Sequence, residues 1–168
     1  MSDLHDAGFP ETIAGLLAAR GVPARCLRVE ITESAIMADP VRALDVLEQL
    51  RAQGVRTGID DFGTGYSSLA YLKRLPVDEL KIDRSFVRHL ADDANDQAIV
   101  RSTIGLAHDL GLQVVAEGVE DQAAWDLLGQ FGCDLAQGYF VSRPLPAADL
   151  VRWLNESPWG KNDRRPAA

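Results

Sequence analysis

Cysteine is scarce in this 168-residue chain: Cys26 and Cys133 are its only two, and their separation suits neither a zinc-binding pair nor a disulfide framework. They read as reduced thiols. Histidine is as thin, and His5, His89 and His108 lack the mutual spacing that would join them on a metal; each reads as a surface or helix-cap residue. No apolar run approaches the ~20 residues needed to cross a bilayer. The amino-terminal segment, with Asp3, Asp6 and Glu11, lacks the basic start of a secretory signal. These absences point to a cytoplasmic protein. Positive charge is also in deficit: 17 Lys and Arg against 25 Asp and Glu leave a formal charge of −8. That balance excludes non-specific binding to DNA or RNA, which requires a basic face. A small anionic substrate stays open, because bound metal ions invert a local field.

What is present suits a single soluble domain, with 46% hydrophobic and 25% charged residues. The domain is expected over residues 1–157, and the polar, proline-flanked stretch 158–168 reads as a frayed tail. Along the chain, apolar segments of strand and helix length alternate. Strands are expected at Cys26 to Thr32, Val55 to Ile59, Glu79 to Asp83, Gln113 to Val119 and Leu135 to Val141. Helices are expected at Pro10 to Arg20, Pro40 to Gln53, Leu69 to Lys73, Asn95 to Leu110, Asp121 to Phe131 and Ala147 to Asn155, several stopped by glycine. This repetition predicts an α/β fold with a parallel sheet and helical crossovers.

Polar residues gather at the carboxyl ends of those strands. Glu30 and Glu33 lie at or just past the first strand, and Asp60 and Asp61 end the second. Period-two alternation puts Lys81 and Asp83 on one face of the third. Glu117 ends the fourth, with Glu120 just beyond, and Gln137 lies on the fifth. Contributions from five successive strands favour the active face of a (β/α) barrel over an open doubly wound sheet, which concentrates its site at one switch point. Two adjacent acids at the end of an apolar strand repel each other unless a cation joins them. All-oxygen ligands favour Mg²⁺, Mn²⁺ or Ca²⁺ over zinc. Asp61-Phe62-Gly63 is not a kinase metal motif, because no HRD-type loop accompanies it.

Five motifs resemble, in order and spacing, the EAL family of cyclic-di-GMP phosphodiesterases: Glu30-Ile31-Thr32-Glu33-Ser34, Asp60-Asp61-Phe62-Gly63-Thr64-Gly65-Tyr66-Ser67-Ser68, Leu80-Lys81-Ile82-Asp83, Ala116-Glu117-Gly118-Val119-Glu120 and Gln137-Gly138-Tyr139. The resemblance covers roughly Leu4 to Leu154. It implies a TIM-like barrel that hydrolyses cyclic-di-GMP to linear pGpG with two Mg²⁺ or Mn²⁺ ions. By position, Glu30, Asp60 and Asp61 would be metal ligands, and Glu117 the general base or a metal-site carboxylate. Lys81 would hold the attacking water or the phosphate. Glu33 would pin the loop from Phe62 to Ser68, and Gln137 would help order the metal-water network. Asp83, Glu120, Thr64 and Ser67 would support the site, and Arg143 would approach a phosphate.

The chain also departs from the family pattern. The signature Glu-Ala-Leu strand and the following strand with its ligand asparagine are absent from the 168 residues. The expected fold is therefore an incomplete TIM-like barrel of about five β-α units, with two metal ligands missing and the chain inactive alone. A non-catalytic cyclic-di-GMP-binding or protein-interaction module is the alternative. Self-association is expected through loop 62–68 or the open barrel edge.

Overall fold

The computed structural model describes Asp6, residues 8–65 and residues 69–160. Five strands form one parallel sheet in sequence order: β1 (Arg28–Thr32), β2 (Arg56–Phe62), β3 (Glu79–Ile82), β4 (Gln113–Glu117) and β5 (Leu135–Gln137). The helices are α1 (Phe9–Arg20), α2 (Glu33–Ala38), α3 (Pro40–Ala52), α4 (Leu69–Leu72), α5 (Arg84–Val87), α6 (Ala94–Asp109), α7 (Gln122–Gln130) and α8 (Ala147–Glu156). Consecutive parallel strands cannot be joined by tight turns, so each connection carries helix across the sheet. Among the described residues the sheet does not close: β1 and β5 each have one strand neighbour. This is the incomplete barrel expected from the sequence.

The register divides the sheet into two chemically different faces. Ile31, Ile59, Leu80, Ile82, Val114 and Ala116 are buried against helical residues such as Leu47, Leu50, Val100, Ile104 and Leu128. That layer is the core, and at about 1.5–3 kcal/mol per fully buried aliphatic side chain it holds helices and sheet together. The alternating positions carry Arg28, Glu30, Glu79, Lys81, Val115 and Glu117 on the opposite face. Thr57, fully buried on the helix side, donates its hydroxyl to the Pro76 carbonyl at 3.3 Å, so no polar group is stranded there.

Several boundaries differ from the sequence expectation. β1 starts at Arg28, because Ala24–Cys26 forms a turn of 3₁₀ helix. β4 stops at Glu117, where Gly118 turns the chain with φ +72°, and β5 stops at Gln137. Asp83 lies past β3 as the cap of α5, its carboxylate accepting from the Ser85 amide at 2.9 Å. Capping so soon after a strand makes α5 and α2 too short for periodicity to reveal; Thr32 caps α2 in the same way, accepting from the Ala35 amide at 3.3 Å. His108 lies on the surface, as expected, with its Nε2 2.9 Å from Asp134 Oδ2. Trp159, assigned to a frayed tail, packs on Trp125 with ring centroids 4.6 Å apart.

Candidate active site at the carboxyl ends of the strands

The acidic pair of β2 owes its geometry to an extra residue. Ile59 pairs with Leu80 and Phe62 with Ile82, so three steps along β2 match two along β3. Asp61 takes up the difference with φ 55°, a left-handed conformation that Asp tolerates better than most residues. In a regular strand, neighbouring side chains point to opposite faces. Here the bulge keeps both carboxylates on the polar side and returns Phe62 to the core, where it is 8% exposed.

Asp60, Asp61 and Glu117 each offer an oxygen, and these three oxygens lie within 4.8 Å of one another. Lys81 rises into the same region from β3, with its ammonium 2.6 Å from Glu117 Oε1, 2.7 Å from Glu30 Oε2 and 3.0 Å from Asp60 Oδ1. Lys81 is only 4% exposed. Burial works against its charge, but hydrogen bonds to Glu117, Glu30 and Asp60 more than offset this, and its pKa lies above the ordinary lysine value. Asp61 is displaced upward as well, by desolvation first and then by the charges of Asp60 and Asp83.

One ammonium does not satisfy this much negative charge. Asp60 Oδ1 is shut off from water, with the Lys81 ammonium at 3.0 Å as its support. Three carboxylate oxygens converging within 4.8 Å, with a single ammonium among them, are the donor set of a hard divalent cation, so these residues fit one. Glu30 stands apart from this trio and is held by Lys81.

The loop after β2 is fastened from below. Glu33, 5% exposed, accepts the Gly63 amide on Oε2 at 3.1 Å. Gly65 lies so close that a Cβ there would sit 3.1 Å from Glu33 Oε1. Thr64 donates its hydroxyl to the Asp61 carbonyl at 2.8 Å and so tightens the turn. Ser67 lies outside the described residues.

Beside Glu117 opens a cleft of about 370 Å³ lined by Arg84, Arg88, Glu120, Gln137 and Tyr139. Gln137 stands opposite Glu117 in the register. Glu120 is exposed and faces Arg88 at 3.7 Å. Arg143 lies over the Tyr139 ring at 4.5 Å. Arg84 was not singled out by the sequence, although it lines this cleft with two other cations nearby. Its trace in the sequence is Gly118, where a Cβ would come within 2.5 Å of Arg84 Cβ.

The EAL domain family model matches residues 1–144. Among curated relatives, the bifunctional diguanylate cyclase/cyclic di-GMP phosphodiesterase MucR of Pseudomonas aeruginosa is 48% identical over 145 residues, covering 86% of this chain and 21% of MucR. The chain spans about a fifth of the length of the curated relatives it matches. The solved MucR phosphodiesterase in complex with c-di-GMP superposes with a TM-score of 0.86 at 46% identity, covering 89% of this chain and 62% of that one. A manganese/cy-diGMP complex of Klebsiella pneumoniae BlrP1 has a TM-score of 0.78 at 37% identity, covering 84% of this chain and 36% of that one.

Proposed function

The chain belongs to the EAL domain family, and on that premise we propose that it carries part of a cyclic-di-GMP phosphodiesterase site, which cleaves cyclic-di-GMP to linear pGpG with Mg²⁺ or Mn²⁺ in the cytoplasm. The observation that supports this most is the trio of Asp60, Asp61 and Glu117 converging within 4.8 Å around a buried Lys81. No helix among the described residues is long and apolar enough to cross a membrane. Retention of every acid in the trio favours the enzyme over a purely binding module.

Asp60 and Asp61 would hold the divalent ions, with Glu30 and Glu117 at the margin. When bound, such ions supply Lewis acidity to the phosphodiester and lower the pKa of water. Glu117 would accept the proton of the attacking water as the new P–O bond forms and the P–O bond to the leaving sugar oxygen breaks, that oxygen taking up a proton from solvent. Lys81, protonated throughout, orients that carboxylate and compensates the charge growing on the phosphoryl oxygens. Glu33 and Thr64 keep the bulge in shape, and Gln137 orders water opposite Glu117. Arg84, Arg88 and Arg143 are placed to meet the substrate's anionic groups.

The 168-residue chain alone is expected to bind Mn²⁺ in calorimetry and to leave cyclic-di-GMP intact in a chromatographic assay, since its five strands supply only part of a two-ion shell. Turnover by the isolated chain would overturn the inactivity. Mn²⁺ binding that is absent, or undiminished in Asp60→Asn, would overturn the site. The free backbone edges of β1 and β5 also favour self-association; sedimentation showing a monomer at all concentrations would count against it.

A further inference from the structure

The opposite end of the sheet carries a second concavity of reversed sign. Arg28 and Arg56 open β1 and β2 as direct partners in the register. Arg51 from the last turn of α3 and Lys73 just past α4 join them around a cleft of about 460 Å³. Its far wall comes from the amino-terminal approach to β3 and β4, including Val77, Asp78 and Gln113. Among the described residues, Arg51, Arg56 and Lys73 have no ion-pair or side-chain hydrogen-bond partner. Arg28 is neutralised by Glu79, a buried acid on β3. The one carboxylate lining the cleft, Asp78, is committed to the Thr57 amide at 2.8 Å. Three free cations thus face one engaged acid, in a chain whose net charge is −8. Like charges brought together raise each other's energy, and a bound polyanion relieves that repulsion.

Half-buried Leu75 and Leu110 supply a small apolar edge to the same cleft. The volume falls within the range of small-molecule sites, about 300–1,000 Å³. We propose that this amino-terminal cleft binds a nucleoside oligophosphate, its phosphates against Arg51, Arg56 and Lys73 and its base at the edge formed by Leu75 and Leu110. This site is separate from the carboxylate trio, because it lies at the other ends of the same strands, and it does not depend on the phosphodiesterase reading.

The test is calorimetric titration of the 168-residue chain with ATP and with GTP in EDTA, which leaves no divalent ion for the acidic end. Saturable binding of at least one nucleotide is expected, weakened about tenfold or more in Arg51→Ala/Arg56→Ala and retained in Asp60→Asn. Tripolyphosphate should compete, and the corresponding nucleoside should not bind detectably. Circular dichroism of the arginine variant checks that it is folded; if it is not, Lys73→Ala, on an exposed side chain, takes its place. Absence of binding, binding unchanged by the cation substitutions, equal loss in Asp60→Asn, or equal binding of the nucleoside would each overturn the proposal.

Discussion

The two ends of the sheet are built on opposite plans. At the carboxyl ends, Glu30, Asp60 and Glu117 crowd one buried ammonium, and the loops there run backbone against backbone. A Cβ on Gly118 would strike Arg84, and one on Gly138 would collide with the Val119 backbone. At the amino ends the charge is positive and the turns are loose. Gly111 has φ +74° but nothing within 4 Å of where a Cβ would lie. Carboxylates that must share cations need a rigid frame to hold them against repulsion. The cations at the other end lie on long exposed stems and need only be near one another.

The sharpest way to break this contrast is to remove its central charge. Lys81→Ala would leave three carboxylates without their shared partner and should destabilise the metal-free protein by about 3–5 kcal/mol in urea unfolding. Because the Lys81 pKa is raised, the stability it confers is complete below the ordinary lysine value of about 10.4 and is lost as pH rises beyond it. On the alkaline side, the wild-type and Lys81→Ala stabilities should therefore converge only in strong alkali; in acid the difference should also shrink as Glu30, Asp60 and Glu117 take up protons. A difference that disappears already at neutral pH would contradict the ion-pair account.

Alanine at the glycines tests rigidity separately from charge. Gly138→Ala and Gly118→Ala should each cost at least about 3 kcal/mol, since the obstacle is backbone or the root of a side chain. Gly111→Ala should cost about 1–2 kcal/mol, from its left-handed conformation alone. Equal losses at the two ends, by thermal denaturation, would erase the distinction.

Asp61→Asn should have a smaller effect of opposite sign. A raised carboxyl pKa means that stability is lost as pH climbs through the ordinary carboxylate range, so metal-free Asp61→Asn should melt higher than wild type at pH 7 and match it near pH 3. Asparagine also accepts the left-handed backbone there. Added Mn²⁺ should reverse the order by stabilising the wild type. The least effect is expected for Arg143→Ala, whose contact with Tyr139 is exposed and should contribute only about 0.5–1 kcal/mol.

Much of this arrangement was legible beforehand. Apolar alternation and glycine stops located all five strands, and their carboxyl ends marked where Glu30, Asp60 and Glu117 would gather. The hidden parts were those that need three dimensions. A bulge leaves no mark in periodicity, so β2 read as ending before its acids rather than running through them. That Asp83 also caps α5 was not legible, because a four-residue helix leaves no periodic signal. The basic cleft was invisible for a different reason: Arg28, Arg51, Arg56 and Lys73 are scattered in sequence and meet only because parallel pairing aligns Arg28 with Arg56 and the helices return Arg51 and Lys73 to the same end. Trp159 looked like tail because nothing local says that Trp125 and Phe140 wait for it.

The extra residue in β2 also makes this strand sensitive to length rather than to composition alone. Deleting Asp61 would remove the odd residue: two steps from Ile59 would then match two along β3, so Phe62 would keep Ile82 as its partner and stay in the core, while one carboxylate and the left-handed kink would be lost. A substitution at this point adjusts the site, whereas a single-codon deletion would flatten the bulge that brings two adjacent carboxylates to one face.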